Sequence, residues 1–171
     1  MEDHALPEFW LRGKIEGYPD LLQPIVHSLL QSKLEVKKYM LDFSDALLWE
    51  KPAGRASVGF HLQHLTGVLD RLVTYAKGEN LSEVQLNYLK NEGVPSSNIL
   101  TNQLISTFDT KVKEVLEKLK TIPVSSLTEF RAVGRKQLPS SVFGLLFHAA
   151  EHSQRHIGQL LVTVSMVKAA S

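Results

Sequence analysis

No cysteine occurs in the 171 residues. That absence excludes disulfides, thiolate metal ligands and a cysteine nucleophile together. It fits a reducing compartment, and the expected location is cytoplasmic. Net charge is nearly absent too: 19 Lys and Arg against 18 Asp and Glu leave +1, with both signs interspersed. There is neither a basic cluster nor an alternation of basic and aromatic residues, so no nucleic-acid partner is expected. Long apolar runs are missing as well. None approaches the ~20 residues that a membrane span requires. The opening "MEDHALPEFWLRGKIEG" begins with acidic side chains and lacks the continuous apolar stretch of a secretion signal. No membrane partner is expected either.

What is present is amphipathic helix. A chain of this length makes one domain, residues 1–171, with a core large enough to need no staple. Residues 1–19, with Pro7, Gly13, Gly17 and Pro19, read as an arm lying over the domain through Phe9 and Trp10. A first helix is expected from Asp20 as N-cap, with Ile25, Leu29, Val36 and Met40 inward, fading near Phe43. Ser57 is the natural cap of a second helix, in which Val58, Leu62, Leu65, Leu69, Leu72 and Ala76 recur at steps of four and three until Gly78. A long link follows, with a short helix at Ser82–Lys90 broken by "NEGVPSSN". The next helix runs from Asn102 to Lys120 and buries Leu104, Phe108, Val112, Val115 and Leu119. A second long link carries a short extended piece at Glu129–Val133 but no convincing pair of strands. The last helix is capped by Ser140 or Ser141 and continues to Lys168. The fold class is therefore all-α: a four-helix bundle with long links that permit crossover connections.

Seven histidines remain to be explained. Five fall in two stretches, "SVGFHLQHLTGV" with His61 and His64, and "FHAAEHSQRHIGQ" with His148, His152 and His156. On a helix, positions i and i+4 lie one above the other, so His152 and His156 can present imidazoles to one ion. A third ligand must come from another helix, and the second helix offers one. The alternative is a core of satisfied histidines. His156 falls within the stripe of Leu145, Ala149 and Leu160 with His152 on its flank, so both are expected to be largely buried. A buried imidazole needs a partner or a metal, because leaving it unsatisfied costs ~1–3 kcal/mol. Helical phase places His61, rather than His64, at the centre of the Leu65, Leu69, Leu72 stripe.

With those two segments in view, "GRASVGFHLQHLTGVLDR" and "LPSSVFGLLFHAAEHSQRHIGQL", the chain resembles the DinB/YfiT-like superfamily of metal-binding four-helix bundles. In that pattern a serine opens the second helix and a histidine seven residues later binds metal, matching Ser57 and His64. The HxxxH with a following glycine-glutamine pair matches His152, His156, Gly158 and Gln159. The resemblance implies a divalent ion, nickel or zinc, on His64, His152 and His156. It leaves His61 and His148 as second-shell or pocket residues. His27 reads as structural and His4 as part of the arm.

Three neutral imidazoles leave an ion with its charge and an open position, as in catalytic rather than closed sites. Such an ion can lower the pKa of bound water to ~7, or hold a small-molecule thiol as the reactive thiolate. Relatives of the resembled family include low-molecular-weight thiol transferases and metal hydrolases. The leading expectation is a metal-dependent enzyme that moves a small-molecule thiol onto an electrophile. Beside it stand a metal-hydroxide hydrolase and a non-enzymatic metal-containing bundle. The expected partners are a small-molecule substrate and a second copy of the chain in a homodimer. Arg131, Arg135 and Lys136 could meet an anionic co-substrate, although a solvated loop explains them as well.

Overall fold

The computed structural model describes residues 6–171; His4 lies outside them. Helix α1, Gln23–Tyr39, carries Pro24 in its first turn, where an N–H has no helical partner to lose. Asp20 does not cap it. Asp20–Leu22 form a 3-10 turn, and the Asp20 carboxylate pairs with Lys14 at 2.6 Å. The helix stops at Tyr39, short of Phe43, which is buried all the same. Helix α2, Val58–Ala76, is capped by Ser57, whose Oγ accepts the Phe60 N–H at 3.1 Å. Helix α3, Glu83–Asn91, starts on a reciprocal Ser82–Gln85 capping box. Helix α4 spans Thr101–Lys120, and α5 spans Val142–Ala170 behind Ser141, whose Oγ accepts the Gly144 N–H at 3.0 Å.

The apolar stripes decide the packing. α2 packs chiefly on α5 and α4, and α1 packs on the same two helices. Consecutive helices α1 and α2 therefore occupy opposite corners of the bundle, as do α4 and α5. Residues 40–57 and 121–141 make the two crossings. Leu62, Leu65 and Leu69 of α2, Phe108 of α4 and Leu160 of α5 are fully excluded from solvent between them.

Two expectations hold only in part. The arm does lie on α1 through half-buried Phe9, whose N–H donates to Gln31 Oε1 at 3.3 Å, and it packs on the core through Ile15 and Tyr18, while Trp10 stays 62% exposed. The link before α5 also holds an antiparallel hairpin, β1 Phe130–Val133 with β2 Leu138–Ser141, in the register Phe130↔Ser141 to Val133↔Leu138. β2 reads Leu-Pro-Ser-Ser, which has no apolar alternation and a proline acceptable only at an edge. The pairing is pinned by the turn, where the Gln137 N–H donates to the Gly134 carbonyl at 3.0 Å. No described helix is long and apolar enough to cross a membrane.

Candidate metal centre

The seam between α2 and α5 brings the histidines together. His61 and His64 lie in the first two turns of α2, and His152 and His156 in the middle of α5. His64 Nε2 is 3.0 Å from His152 Nε2. The His156 ring centroid is 4.3 Å from that of His64 and 4.6 Å from that of His152. One nitrogen from each of His64, His152 and His156 lies within 4.8 Å of the other two.

His61 stands outside this group. Its Nδ1 is 3.1 Å from His156 Nδ1, and its Nε2 is 3.5 Å from the Thr163 hydroxyl. It is the buried histidine, 3% exposed, as helical phase requires. His152 and His156 were expected to be largely buried as well, but they are only half-buried. They sit where the α2–α5 seam begins to open, rather than at its centre. His148 is exposed and holds Glu151 Oε1 at 2.6 Å, and Glu151 also takes Arg155 at 2.9 Å. With His152 these two form a second, more exposed group of three. His27 ties the arm down, its Nε2 lying 2.9 Å from the Gly13 carbonyl.

The residue absent from the sequence reading is Glu92, just beyond the end of α3. Its side chain is 3% exposed. Oε2 lies 2.7 Å from His64 Nδ1, and Oε1 lies 2.5 Å from Arg71 Nη1. A buried carboxylate accepts, so His64 carries its proton on Nδ1 and turns the Nε2 lone pair towards His152 and His156. Several contacts hold Glu92 there. Gln63 accepts the Gly93 N–H at 2.7 Å, and Tyr88 donates to the Gln63 carbonyl at 3.2 Å. Gly93 turns the chain with φ +80°, a conformation only glycine adopts without strain. Across from them Gly67 supplies room: a Cβ there would overlap the Glu92 carboxylate and the Arg71 guanidinium.

Electrostatics oppose protonation of His61, His152 and His156. Burial, and then the neighbouring His64, pull His156 down to about 3 and His61 down to about 4. His152 moves in the same direction for the same two reasons. Their lone pairs are therefore available at neutral pH. With His64 protonated on Nδ1, the 3.0 Å contact needs a proton on His152 Nε2, which leaves His152 Nδ1 bare. That atom is buried and has no hydrogen-bond partner. A cation would take the place of the proton between the two Nε2 atoms, since nitrogens bound to one zinc-like ion at ~2.0–2.1 Å stand roughly 3.0–3.4 Å apart. The residues fit such an ion.

Arg131 is used elsewhere. Its Nε donates to the Ala76 carbonyl at 2.8 Å, at the far end of α2 and about 18 Å along the helix from His64. Arg135 and Lys136 lie in the hairpin turn beyond it.

Against known families, residues 35–160 match the DinB superfamily. The match includes all five clustered histidines, Glu92 and Arg71. No curated protein matches the chain.

Proposed function

The chain belongs to the DinB superfamily, whose members typically bind metal, and we propose that it holds one nickel or zinc ion on His64, His152 and His156 as a thiol S-transferase. The observation that carries this reading is the convergence of three imidazoles, one oriented by a buried carboxylate. When bound, such an ion supplies positive charge that favours the thiolate form of a thiol near neutral pH.

The rest falls to the protein's own side chains. Glu92 and Arg71 orient His64. His61 braces His156 from the core side. Phe60 stacks on the His64 ring at 5.3 Å between centroids and covers one flank. The half-open seam leaves a way in for a small molecule. No carboxylate of the cluster is free to act as general base, because Glu92 is taken by His64 and Arg71 and Glu151 by His148 and Arg155. That favours a nucleophile whose acidity needs no base, and with no cysteine in the chain it must arrive as a co-substrate. In the overall reaction a sulfur–carbon bond forms, the bond from that carbon to its leaving group breaks, and the thiol proton passes to solvent.

Calorimetric titration with zinc or nickel should give about one ion per chain. His64→Ala should abolish tight binding, whereas His61→Ala should weaken it only ~10–100-fold, as loss of a neighbour of a ligand does. The opposite ranking would make His61 the ligand. Loaded protein should bind 2-mercaptoethanol or glutathione with proton release, read from titrations in buffers of different ionisation enthalpy. Thiol-dependent consumption of a chlorinated nitrobenzene or an epoxide should follow. Cleavage of an activated ester without any thiol binding would favour the hydrolase. Neither reaction in loaded protein would leave a metal-containing binding bundle.

A further inference from the structure

Beside His61 the surface carries an open cavity. It has a volume of 460 Å³ and lies between α5, the first turn of α2 and the residues preceding it. That is within the ~300–1,000 Å³ typical of small-molecule sites. Its apolar wall is made by Pro52, Ala53, Ala56, Val162 and Met166. Val162 and Met166 remain 57% and 50% exposed, so apolar surface there has no covering from the chain. Gly158 lines the cavity, and a Cβ built on it meets nothing within 4 Å. The polar groups are few. His61 and Thr163 face each other on the buried side, Gln159 lies on the α5 wall, and Arg55 lines the exposed side. Arg55 makes no ion pair and no side-chain hydrogen bond among the described residues.

We infer that this cavity binds a small apolar molecule carrying one anionic group, with Arg55 as the counter-charge. An apolar wall with one unengaged guanidinium selects a carboxylate with a hydrocarbon or aromatic body over an amine of the same shape. The cavity reaches His61, which touches His156. A molecule lying in it with its far end at the seam is placed beside the histidine cluster. If the S-transferase reading holds, this molecule is the electrophile, and that assignment rests on the reading. Occupancy of the cavity does not.

The experiment compares octanoate, octanamide and octylammonium as probes, by calorimetry on the full chain at neutral pH. Octanoate should bind saturably, octanamide more weakly, and octylammonium not at all. Arg55→Met should weaken octanoate at least tenfold and leave octanamide unchanged. Gly158→Leu places a side chain in the open space and should abolish binding of both. Its melting temperature should not fall below the parent's and its zinc stoichiometry should match, which separates a filled cavity from a damaged fold. Equal binding of octanoate and octylammonium, or octanoate binding that survives Gly158→Leu, overturns the proposal, as does no octanoate binding by the parent. The zinc titration separates the two readings. Zinc binding without octanoate binding removes the cavity site and spares the metal site. Octanoate binding to a chain that takes no metal supports the cavity and removes the role assigned to its ligand.

Discussion

Glu92 lies 28 residues from His64 in the chain and 2.7 Å from it in space. Nothing periodic marks it, because it follows α3 in a run, "NEGVPSSN", that reads as a helix breaker. Only the packing of α3 on α2 delivers the carboxylate. One sign was nonetheless in the sequence: Gly67, between Leu65 and Leu69 on a strong helical stripe. A mid-helix glycine costs about 1 kcal/mol against alanine, so its presence there marks a close approach. Gly67→Ala should therefore destabilise despite its better helix propensity, because the added methyl meets Glu92 and Arg71. The sharper test is Glu92→Gln. The amide can still accept from His64 Nδ1, but it leaves the Arg71 guanidinium, 10% exposed, without its counter-charge. We expect zinc affinity to fall ~10–100-fold and stability to fall by roughly 1–3 kcal/mol. Zinc titration and urea unfolding measure the two, and parental zinc affinity would remove Glu92 from the site. The ambiguity between His61 and His64 also belongs to this scale. Helical phase identified the buried one correctly, but burial and convergence on a neighbouring helix are different properties.

The helices were the legible elements. Ser57 and Ser141 cap α2 and α5, and the inward residues expected of α4 are all buried, because a 3.6-residue period and a capping side chain are local signals. Asp20 and the hairpin were not legible. Asp20 found a nearer partner in Lys14, and four-residue strands with a proline are set by a turn rather than by a pattern. Ion pairs between helices are a further feature that only the fold reveals. Asp109 of α4 lies 3.2 Å from Lys33 and 3.0 Å from Lys37 of α1, and 2.7 Å from Lys113. Burial alone would raise its pKa, but the three ammonium groups prevail and hold the carboxyl well below the usual carboxylate range. The folded pKa is depressed, so the stabilisation is present above the unfolded value of ~3.9 and is lost as pH falls through the folded one. Asp109→Asn should cost about 1 kcal/mol at pH 7, with partly exposed lysines limiting the figure. Urea midpoints of the two proteins should draw together progressively as pH falls below about 4. A difference that does not narrow below pH 4 would mean that the aspartate acts through packing rather than charge.

At the scale of the whole molecule, the order of helices was readable and their neighbours were not. Stripes show which face is inward, not which helix it meets, and α1 and α2 prove to be diagonal. That arrangement puts α2 against α5 and gathers the histidines along their seam. Its consequence is a characteristic response to acid. His61 falls to about 4 and His156 to about 3 in the folded chain, and His152 shifts the same way, through burial and the nearby His64. In the unfolded chain each returns to ~6.5. Between those values the unfolded state binds the extra protons, so stability falls as pH falls, by up to ~1.4 kcal/mol per pH unit for each histidine. Metal-free protein should therefore hold a flat plateau from pH 8 to 7 and weaken steadily below about 6.5. The loss should reach a few kcal/mol by pH 5, against a total of only ~5–15. Asp109 and other depressed carboxylates act in a separate window, below ~4. Urea unfolding of chelator-treated protein at half-unit steps of pH measures the profile. His61→Gln, which cannot titrate, should lower the slope between pH 6.5 and 4 without moving the plateau's edge. A profile flat to pH 5 would show that the imidazoles take up protons in the folded state, and that the neutral cluster on which the metal reading depends does not form.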